Sequence, residues 1–414
     1  MSIWYQQNFM LLLFGRLITN IGDSLYFIAA AWLVFDITGD PFFSGLASFL
    51  TLLPKNLQFL AGPFIDRWPP AKTMRITQLL QCILVVIIPV LDLFELLTAG
   101  AVLIIMPLLA MLDQIMYPAQ EKALPLTVLP HQLVQGNSLF ALAHQGTDIL
   151  FTALSGILIS IFGAVFLYWI DAFSFLIAFI LFSSLQLPGK SAAQHREPRT
   201  GYASDLKQGF YIIFRSKFWI MLIGALTVNG TIGIMYAVLP AFADAFQGPK
   251  FYGFLLTAVS AGVLVGALAA PLCARLPLGK IYACGFLLSS LCWLLAMQLP
   301  PVAFAVLFGI AWLPVGLSNV LFASVIQSAV PNYILGRTRA AISSIVTLFM
   351  PAGALAGGIL ASWTSPYWIL FSTGFGFFIL GGFWLFHPFL YRLPPVPAIT
   401  ADTFRLPLDK DQQL

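Results

Sequence analysis

Seven ionisable side chains lie well inside long apolar stretches of this 414-residue sequence. They are Arg16, Asp23, Lys55, Asp113, His144, Asp148 and Asp171. Where such a stretch crosses a bilayer, an ionised group near its centre raises the free energy of insertion by about 2.5–3.5 kcal/mol. Residues of this kind pair with one another, carry protons or contact a ligand, so they are the first candidates for chemistry.

Two interpretations of these charges are open from the sequence. Asp23, Lys55 and Asp148 fall near the middle of three separate apolar stretches, and Asp113 falls slightly off the middle of a fourth. They either neutralise one another in a salt-bridge network that joins helices, with Asp23 or Asp148 as the partner of Lys55, or they line a cavity. In a cavity of low dielectric a carboxyl group favours its neutral form and can exchange a proton.

Helical spacing places two pairs of these groups on common faces. His144 precedes Asp148 by four residues, so the pair either relays protons or forms hydrogen bonds with its neighbours. Arg16 and Asp23 are two helical turns apart, which is about 10 Å along the axis and too far for direct pairing. Asp171 lies near one end of its stretch, and we predict a structural role for it.

The composition is that of a polytopic membrane protein. The chain is 60% hydrophobic and 9% charged, whereas soluble proteins are about 45–50% apolar and about 25% charged. The sequence has no HExxH, GxSxG or P-loop motif, and its four cysteines form no CxxC or Cys/His cluster. We therefore expect no enzyme, no metal and no other cofactor, and the dispersed basic residues give no reason to expect nucleic-acid binding.

Apolar runs and their breaks predict an all-α membrane protein with twelve transmembrane helices in two sets of six. The spans are residues 9–36, 42–65, 73–92, 98–121, 136–162, 164–187, 218–245, 251–274, 279–299, 301–328, 338–363 and 366–391. Each can cross a hydrocarbon core of about 30 Å. The predicted domains are a bundle at 1–187, a cytoplasmic linker at 188–217, a second bundle at 218–391 and a cytoplasmic tail at 392–414. The Pro-rich tail from Pro394 is expected to be disordered.

The distribution of basic residues sets the predicted orientation. With the N-terminus in the cytoplasm, 17 of the 20 Lys and Arg residues fall on the cytoplasmic side, and only Lys250 falls on the other side. Such a bias is typical of cytoplasmic loops. We expect a multi-pass protein of a bacterial-type inner or plasma membrane, with both termini in the cytoplasm.

The loop after the second span places one acid among several bases. Gly62 allows close backbone approach at a helix end, and Asp66 is followed by Arg67, Lys72 and Arg75. The cluster is either a charge lock between helix ends, which breaks when the helices move, or the ordinary positive charge of a cytoplasmic loop.

This loop resembles the G-x-x-x-D-R-x-G-R-R motif of the major facilitator superfamily. Gly62, Asp66 and Arg67 match that motif, whereas residues 68–71 depart from it and Lys72 would replace one of its bases. Together with the two sets of six spans, the resemblance covers nearly the whole chain.

Further stretches resemble the macrolide-efflux branch of the proton-coupled drug antiporters. They are Asn20-Ile21-Gly22-Asp23, Pro118-Ala119 with Ala123-Leu124-Pro125, Asn137-Ser138, Asp171-Ala172-Phe173-Ser174-Phe175, and Pro331 with Gly336-Arg337. Gln120 stands where the branch has an arginine. The branch includes exporters of macrolides, other drugs and siderophores, and lysophospholipid and glycolipid flippases look similar.

The resemblance implies the major facilitator fold, in which two six-helix bundles rock about a midplane site. Spans 1, 4, 7 and 10 would line the cavity. The implied residues for proton coupling and the cavity are Asp23, Asp113, Asp148, Lys55, Arg16 and His144. The candidates for substrate contacts are Asn229, Tyr236, Trp312 and Asn319.

The function that the resemblance implies is a monomeric, proton-coupled exporter of small amphipathic molecules in contact with membrane lipids. Two positive charges, Arg16 and Lys55, against the three acids Asp23, Asp113 and Asp148 leave one net negative charge, which favours cationic substrates. The alternative is a lysophospholipid or glycolipid translocase of the same fold, in which the two bases would contact a phosphate head group.

The charge lock leads to a prediction for Asp66→Asn. If the cluster latches the outward-facing state, the variant loses a charge-assisted contact of about 1.5–3 kcal/mol, which changes a two-state population by about 10- to 150-fold. We expect it to favour the inward-open form and to transport slowly while it still binds substrate. Spin-label distances across the cytoplasmic face measure this. Unchanged distance distributions at acidic and neutral pH would leave the cluster as a marker of topology.

Overall fold

The computed structural model describes residues 3–56, 68–187 and 202–407. Over these ranges the chain is helical and has no β-strand, and eleven helices are long and apolar enough to cross a membrane. A further helix covers the first part of the second predicted span and is described as far as Asn56. The prediction of an all-α membrane protein is therefore confirmed.

The first six helices follow the predicted spans closely. They are α1 (Gln7–Thr38), α2 (Pro41–Asn56), α3 (Pro70–Leu93), α4 (Ala99–Ala123), α5 (Leu133–Phe162) and α6 (Ala164–Ser183). Proline opens α2 and α3, where its fixed φ suits the first turn and its missing N–H needs no partner. Gly39 ends α1 with φ of 67° and donates its N–H to the Phe35 carbonyl at 2.7 Å, a left-handed cap that glycine adopts without strain.

The second half contains seven helices of three turns or more and two short ones. They are α7 (Tyr202–Arg215), α8 (Phe218–Asp244), α9 (Pro249–Cys273), α10 (Leu278–Ala296), α11 (Pro301–Ala329), α12 (Asn332–Trp363), α13 (Pro366–Phe386), α14 (Pro388–Tyr391) and α15 (Ala401–Phe404). The helix α7 lies within the stretch predicted as a linker. The largest change in a helix start is at α12, which begins before the predicted residue 338.

The helices pack into two compact units. Unit 1 is Met1–His195, Tyr236–Thr257 and Leu355–Trp363, and unit 2 is Arg196–Met235, Ala258–Ala354 and Thr364–Leu414. In unit 1, α1 packs against α5 and α6, and α3 packs against α4 and α6. In unit 2, α10 packs against α11 and α13.

Unit 1 includes a close crossing of α5 and α9. A Cβ atom on Gly156 would overlap the Cα of Gly253, so the two backbones touch. One turn along, the Thr257 hydroxyl donates to the Ala153 carbonyl at 3.1 Å. Small residues at such crossings let transmembrane helices approach closely. This crossing is therefore set by two glycines and one interhelical hydrogen bond.

The tail after α14 is ordered through residue 407, which corrects the prediction of disorder from Pro394. Phe404 is fully buried, and its ring centroid lies 4.7 Å from that of Phe218. The Phe404 carbonyl accepts the Lys217 N–H at 2.7 Å, and the Val396 N–H donates to Ala274 at 3.1 Å. Proline content indicated disorder, but spaced apolar side chains give the tail enough surface to bury.

The α5–α9 crossing leads to a prediction for Gly253→Ala. The new methyl group would lie 2.5 Å from the Gly156 carbonyl carbon and oxygen, and backbone atoms cannot move aside as a flexible side chain can. We expect the helices to separate, so that a disulfide between cysteines introduced at 153 and 257 forms much less than in the parent, in a background without the four native cysteines.

The matched control for this experiment is Gly146→Ala on the same helix. Its methyl group would meet only Leu142, at an ordinary 3.8 Å, so cross-linking should stay at the parent level. Equal cross-linking in Gly253→Ala would show that the crossing is not held by backbone contact.

Candidate functional site

Asp23 lies at the centre of a polar network between α1 and α4. The Tyr117 hydroxyl on α4 lies 3.0 Å from Asp23 Oδ2 and 2.8 Å from Asn20 Oδ1. Asn20 Nδ2 in turn donates to the Ala143 carbonyl on α5 at 3.2 Å. Asp23 Oδ1 is buried and has no hydrogen-bond partner among the described residues. The carboxyl group is thus only half satisfied by the protein.

Arg16 is buried and contacts neutral groups on α4 and α5. Its Nη1 donates to Gln120 Oε1 at 2.8 Å, and its guanidinium lies over the rings of Tyr117 and Phe140, at 5.3 Å and 4.7 Å from their centroids. Cation–π contacts of this kind stabilise a desolvated guanidinium by about 2 kcal/mol. Gln120, which the sequence comparison marked only as a departure from the family motif, is therefore the direct partner of Arg16.

Asp113 is buried inside unit 1, where three helices meet. The Tyr26 hydroxyl on α1 donates to Oδ2 at 2.8 Å, and the Gln81 amide on α3 donates to Oδ1 at 2.6 Å. Gln78 extends the network by donating to Gln81 Oε1 at 2.9 Å. Both carboxylate oxygens have donors, so Asp113 joins α1, α3 and α4 and does not face an open cavity in this conformation.

His144 and Asp148, which are four residues apart on α5, are both exposed. Asp148 Oδ1 accepts a hydrogen bond from Ser24 on α1 at 3.3 Å. The His144 ring packs on Tyr117, with 5.2 Å between ring centroids. Both side chains therefore lie beside the Asp23 network: His144 contacts Tyr117, and Asp148 contacts Ser24.

Asp171 is fully buried where α1 and α6 approach each other. A Cβ on Gly22 would overlap Asp171 Oδ1 and Ser174 Oγ, so only glycine fits beside this carboxyl group. Ser174 donates to the Asp171 carbonyl at 2.8 Å. Asp171 thus lies in the contact between the two helices, and its Oδ2 atom has no hydrogen-bond partner among the described residues.

Lys55 does not pair with the aspartates that the sequence suggested. It is exposed at the end of the described part of α2. Neither Asp23 nor Asp148 accepts a hydrogen bond from it. Of the predicted charge lock, Gly62, Asp66 and Arg67 lie outside the described residues, and Lys72 is exposed in the first turn of α3.

Unit 2 contains a cavity of about 80 Å³ that brings together two of the predicted substrate-contacting residues. Asn229 on α8 and Asn319 on α11 both line it, with Tyr282, Phe286 and Trp384 among its other walls. All its lining residues are uncharged.

The other two predicted substrate residues lie elsewhere. Tyr236 belongs to unit 1, where its ring meets Phe27 edge-on at 5.7 Å. Trp312 is buried in an aromatic cluster with Trp293, Phe308 and Phe377. Trp312 therefore packs inside unit 2 in this conformation.

The most informative partners of the charges were not singled out from the sequence. Tyr117, Tyr26, Gln78 and Gln81 each hydrogen-bond to the networks of Asp23 or Asp113. A signal was present, since Gln78 and Gln81 are amides three residues apart in an apolar span. Over the described residues, no group of three or more His, Cys, Asp or Glu side chains could hold a metal ion.

Comparison with known families identifies the chain. A family model described as transmembrane secretion effector, one of the major facilitator models, matches residues 2–408. The chain belongs to the major facilitator superfamily. The superfamily predicted from the sequence is thereby confirmed.

Relatives of this major facilitator protein include named efflux pumps. It is 26% identical to the multidrug efflux pump Tap of Mycobacterium tuberculosis over 363 residues, covering 84% of this chain and 86% of that protein. It is 23% identical to Tap of Mycolicibacterium fortuitum over 398 residues, covering 93% and 96%. These relatives are named as drug-efflux pumps, and this chain shares their family of membrane transporters.

Solved structures of the superfamily share the fold. A bacterial homologue of the iron transporter ferroportin in an inward-facing state matches with a TM-score of 0.67 at 17% identity, over 93% of this chain and 99% of that one. The D-xylose–proton symporter matches with a TM-score of 0.66 at 14% identity, over 95% and 99%. At these identities the likeness concerns the fold alone.

The geometry of Lys55 leads to a prediction about stability. Since Lys55 is exposed and does not pair with either aspartate, Lys55→Met should leave no buried acid unpaired, and the apparent unfolding temperature in detergent should stay close to that of the parent. Combining it with Asp23→Asn or Asp148→Asn should give nearly additive effects, as expected for residues that are not in direct contact. A double variant clearly more stable than Lys55→Met alone would instead establish an ion pair.

Proposed function

We propose that the protein is a proton-coupled secondary active exporter of small amphipathic molecules that works by alternating access. The relatives named as multidrug efflux pumps support export of drugs. The network around Asp23 supports proton coupling, and it is the observation on which the proposal mainly depends.

Asp23 is the carboxyl group to which we assign the proton. Its Oδ1 atom is buried without a donor among the described residues, so the ionised carboxylate is only half satisfied, and protonation of Oδ2, beside the Tyr117 hydroxyl, removes the unpaired charge. Asp171 Oδ2 also lacks a partner among the described residues, but of these two acids Asp23 is the one that contacts Tyr117. Asp113 has a donor on each oxygen, so a proton on it would disrupt one of two good hydrogen bonds. An unsatisfied buried acceptor raises the free energy by about 1–3 kcal/mol, which distinguishes the two acids.

Protonation of Asp23 would be relayed to α5 through Tyr117. A hydroxyl group has one hydrogen, so Tyr117 donates it either to Asp23 or to Asn20. When Asp23 is ionised, the hydroxyl hydrogen points to Asp23. When Asp23 is protonated, it can donate to the Tyr117 oxygen, and the hydroxyl hydrogen turns to Asn20, whose amide is already bonded to the Ala143 carbonyl of α5. The charge state of α1 thus changes the contact between α1, α4 and α5.

The α5–α9 crossing in unit 1 is the contact that we assign to the extracellular gate. The crossing lies in the part of α9 that follows Lys250, on the side predicted to be extracellular. Opening that side would separate Gly156 from Gly253.

In this proposal both termini are cytoplasmic, the bundles are 1–187 and 218–391, residues 188–217 link them, and residues 392–414 form the tail of a monomer in a bacterial-type inner membrane.

The exposed acid Asp148 and the half-satisfied Asp23 support cationic, amphipathic substrates, of which macrolides are one class. The lipid translocase is less well supported. Of the two bases expected to contact a phosphate head group, Lys55 is exposed, but Arg16 is only 5% exposed and is enclosed by Gln120, Tyr117 and Phe140.

The test is transport into inverted proteoliposomes with an imposed pH gradient, acidic inside, using the fluorescent amphipathic cation ethidium, the macrolide erythromycin and a lysophospholipid. We expect the parent protein to accumulate at least one of the two drugs against its concentration gradient. Asp23→Asn should bind that drug but lose uphill accumulation, because the amide cannot carry a proton. Flipping of the lysophospholipid without drug accumulation would support the translocase instead.

The matched control is Asp36→Asn, the same change at an exposed position near the end of α1. It should retain gradient-driven accumulation at the rate of the parent. Accumulation at the parent rate by Asp23→Asn would remove Asp23 from the proton path.

A further inference from the structure

The helix α7 exposes one face that carries both aromatic and basic side chains. Tyr211 and Phe214 are 55% and 61% exposed, and Lys207 and Arg215 are exposed as well. At about 100° of rotation per residue, these four positions fall within about one third of the circumference of the helix. They therefore form a single exposed face.

The opposite side of α7 is buried within unit 2. Ile212 and Ile213 are buried there, and a Cβ atom on Gly209 would lie 2.5 Å from the Arg337 carbonyl oxygen of α12. The backbone of α7 is thus in close contact with α12, which fixes the rotation of α7 about its axis. The aromatic and basic face points outward because the apolar face is already packed.

The bases at the end of this helix contact aromatic rings. The Arg215 guanidinium lies 5.7 Å from the ring centroid of Tyr211, and Lys217 Nζ lies 4.9 Å from that of Phe389. Within the described residues these ring contacts, and not ion pairs with acids, hold the two cations. A guanidinium that rests on a ring keeps its charge and a planar set of N–H donors, which matches the geometry of a phosphate group.

This face lies where the chain enters a membrane-spanning helix. The helix α7 ends at Arg215, and α8 begins two residues later, with the Phe218 N–H donated to Ser216 Oγ at 3.2 Å. The helix α8 is long and apolar enough to cross a membrane. Trp219 in its first turn is 43% exposed, and Trp and Tyr are enriched at the level of lipid head groups. The end of α7 is therefore held at a bilayer surface.

We propose that this face of α7, together with Lys217, binds anionic phospholipids, on the cytoplasmic leaflet in the proposed orientation. Arg215 and Lys217 contact the phosphate groups, and Tyr211 and Phe214 pack among the head groups and the first part of the acyl chains. A phospholipid supplies both an anion for the bases and an apolar surface for the rings. A soluble acidic partner would complement the bases alone.

A nitroxide at position 214 measures whether this face lies in the bilayer. Phe214→Cys is made in the full-length protein without its four native cysteines, spin-labelled, and reconstituted in phosphatidylcholine vesicles with increasing fractions of phosphatidylglycerol. EPR power saturation compares collisions with O₂, which concentrates in the acyl chains, and with the neutral complex NiEDDA, which concentrates in water. We expect the O₂ accessibility to rise and the NiEDDA accessibility to fall as the phosphatidylglycerol fraction increases.

Removal of one base should weaken this response. Arg215→Gln should raise the phosphatidylglycerol fraction at the half-maximal change by about fivefold, the effect of one base near an anionic surface, and Arg215→Lys should retain most of the response. Lys217→Gln provides a second variant with a shift in the same direction. The matched control is Lys280→Gln, which removes the same charge from an exposed position on α10 and should leave the half-maximal fraction unchanged.

Three results would each overturn the proposal. High NiEDDA accessibility at every lipid composition would show that the face stays in water, where a soluble partner could bind it. High O₂ accessibility in phosphatidylcholine alone, unchanged by phosphatidylglycerol, would show that the rings insert without recognition of anions. Equal shifts in Arg215→Gln and Lys280→Gln would show a general effect of net charge. The measurement uses neither substrate nor a pH gradient, so a failure of the proposed transport function would leave it unaffected.

Discussion

The polar side chains of α1 must find their partners on neighbouring helices, because a hydrocarbon core supplies no water to bond them. Arg16, Asn20, Asp23 and Tyr26 follow one another at helical intervals, and each contacts α4: Arg16 through Gln120, Asn20 and Asp23 through Tyr117, and Tyr26 through Asp113. This row fixes the rotation and the depth of α1 in unit 1. The contacts that hold α1 against α4 are also those that would change when a proton binds Asp23. The packing of α1 and the proposed proton coupling therefore depend on the same side chains.

The positions of the helices and of the buried charges could be predicted from the sequence, whereas the partners of the charges could not. The length of an apolar run can be compared with the thickness of the bilayer, which indicates whether the run forms a transmembrane helix. The rotation of each helix about its axis is set by side chains on other helices. Asp113 illustrates this limit: on a helix predicted to line a cavity, it faces Tyr26 and Gln81 instead. Asn229 and Asn319 both line the cavity of unit 2, and the family resemblance had placed their helices, spans 7 and 10, around the substrate site.

Two other expectations depended on the environment of single segments. One interpretation of Lys55 paired it with an acid because an isolated buried charge is unfavourable, but the residue is exposed, so that interpretation loses its premise. The tail was expected to be disordered because of its prolines, yet Leu393, Val396, Ile399 and Phe404 bury their side chains. In both cases the residue type was interpreted without the neighbours that decide its environment. Burial depends on the whole fold, and a single segment does not determine it.

The two units differ in the chemistry of their buried side chains. The acids, the buried guanidinium and the tyrosine relay lie in unit 1, whereas the cavity of unit 2 is lined by uncharged residues. The helix α8 contributes to both: Asn229 lines the cavity of unit 2, and Tyr236, about two turns further along the same helix, belongs to unit 1. Residues of both units therefore lie on one continuous helix, α8, which joins the two units covalently.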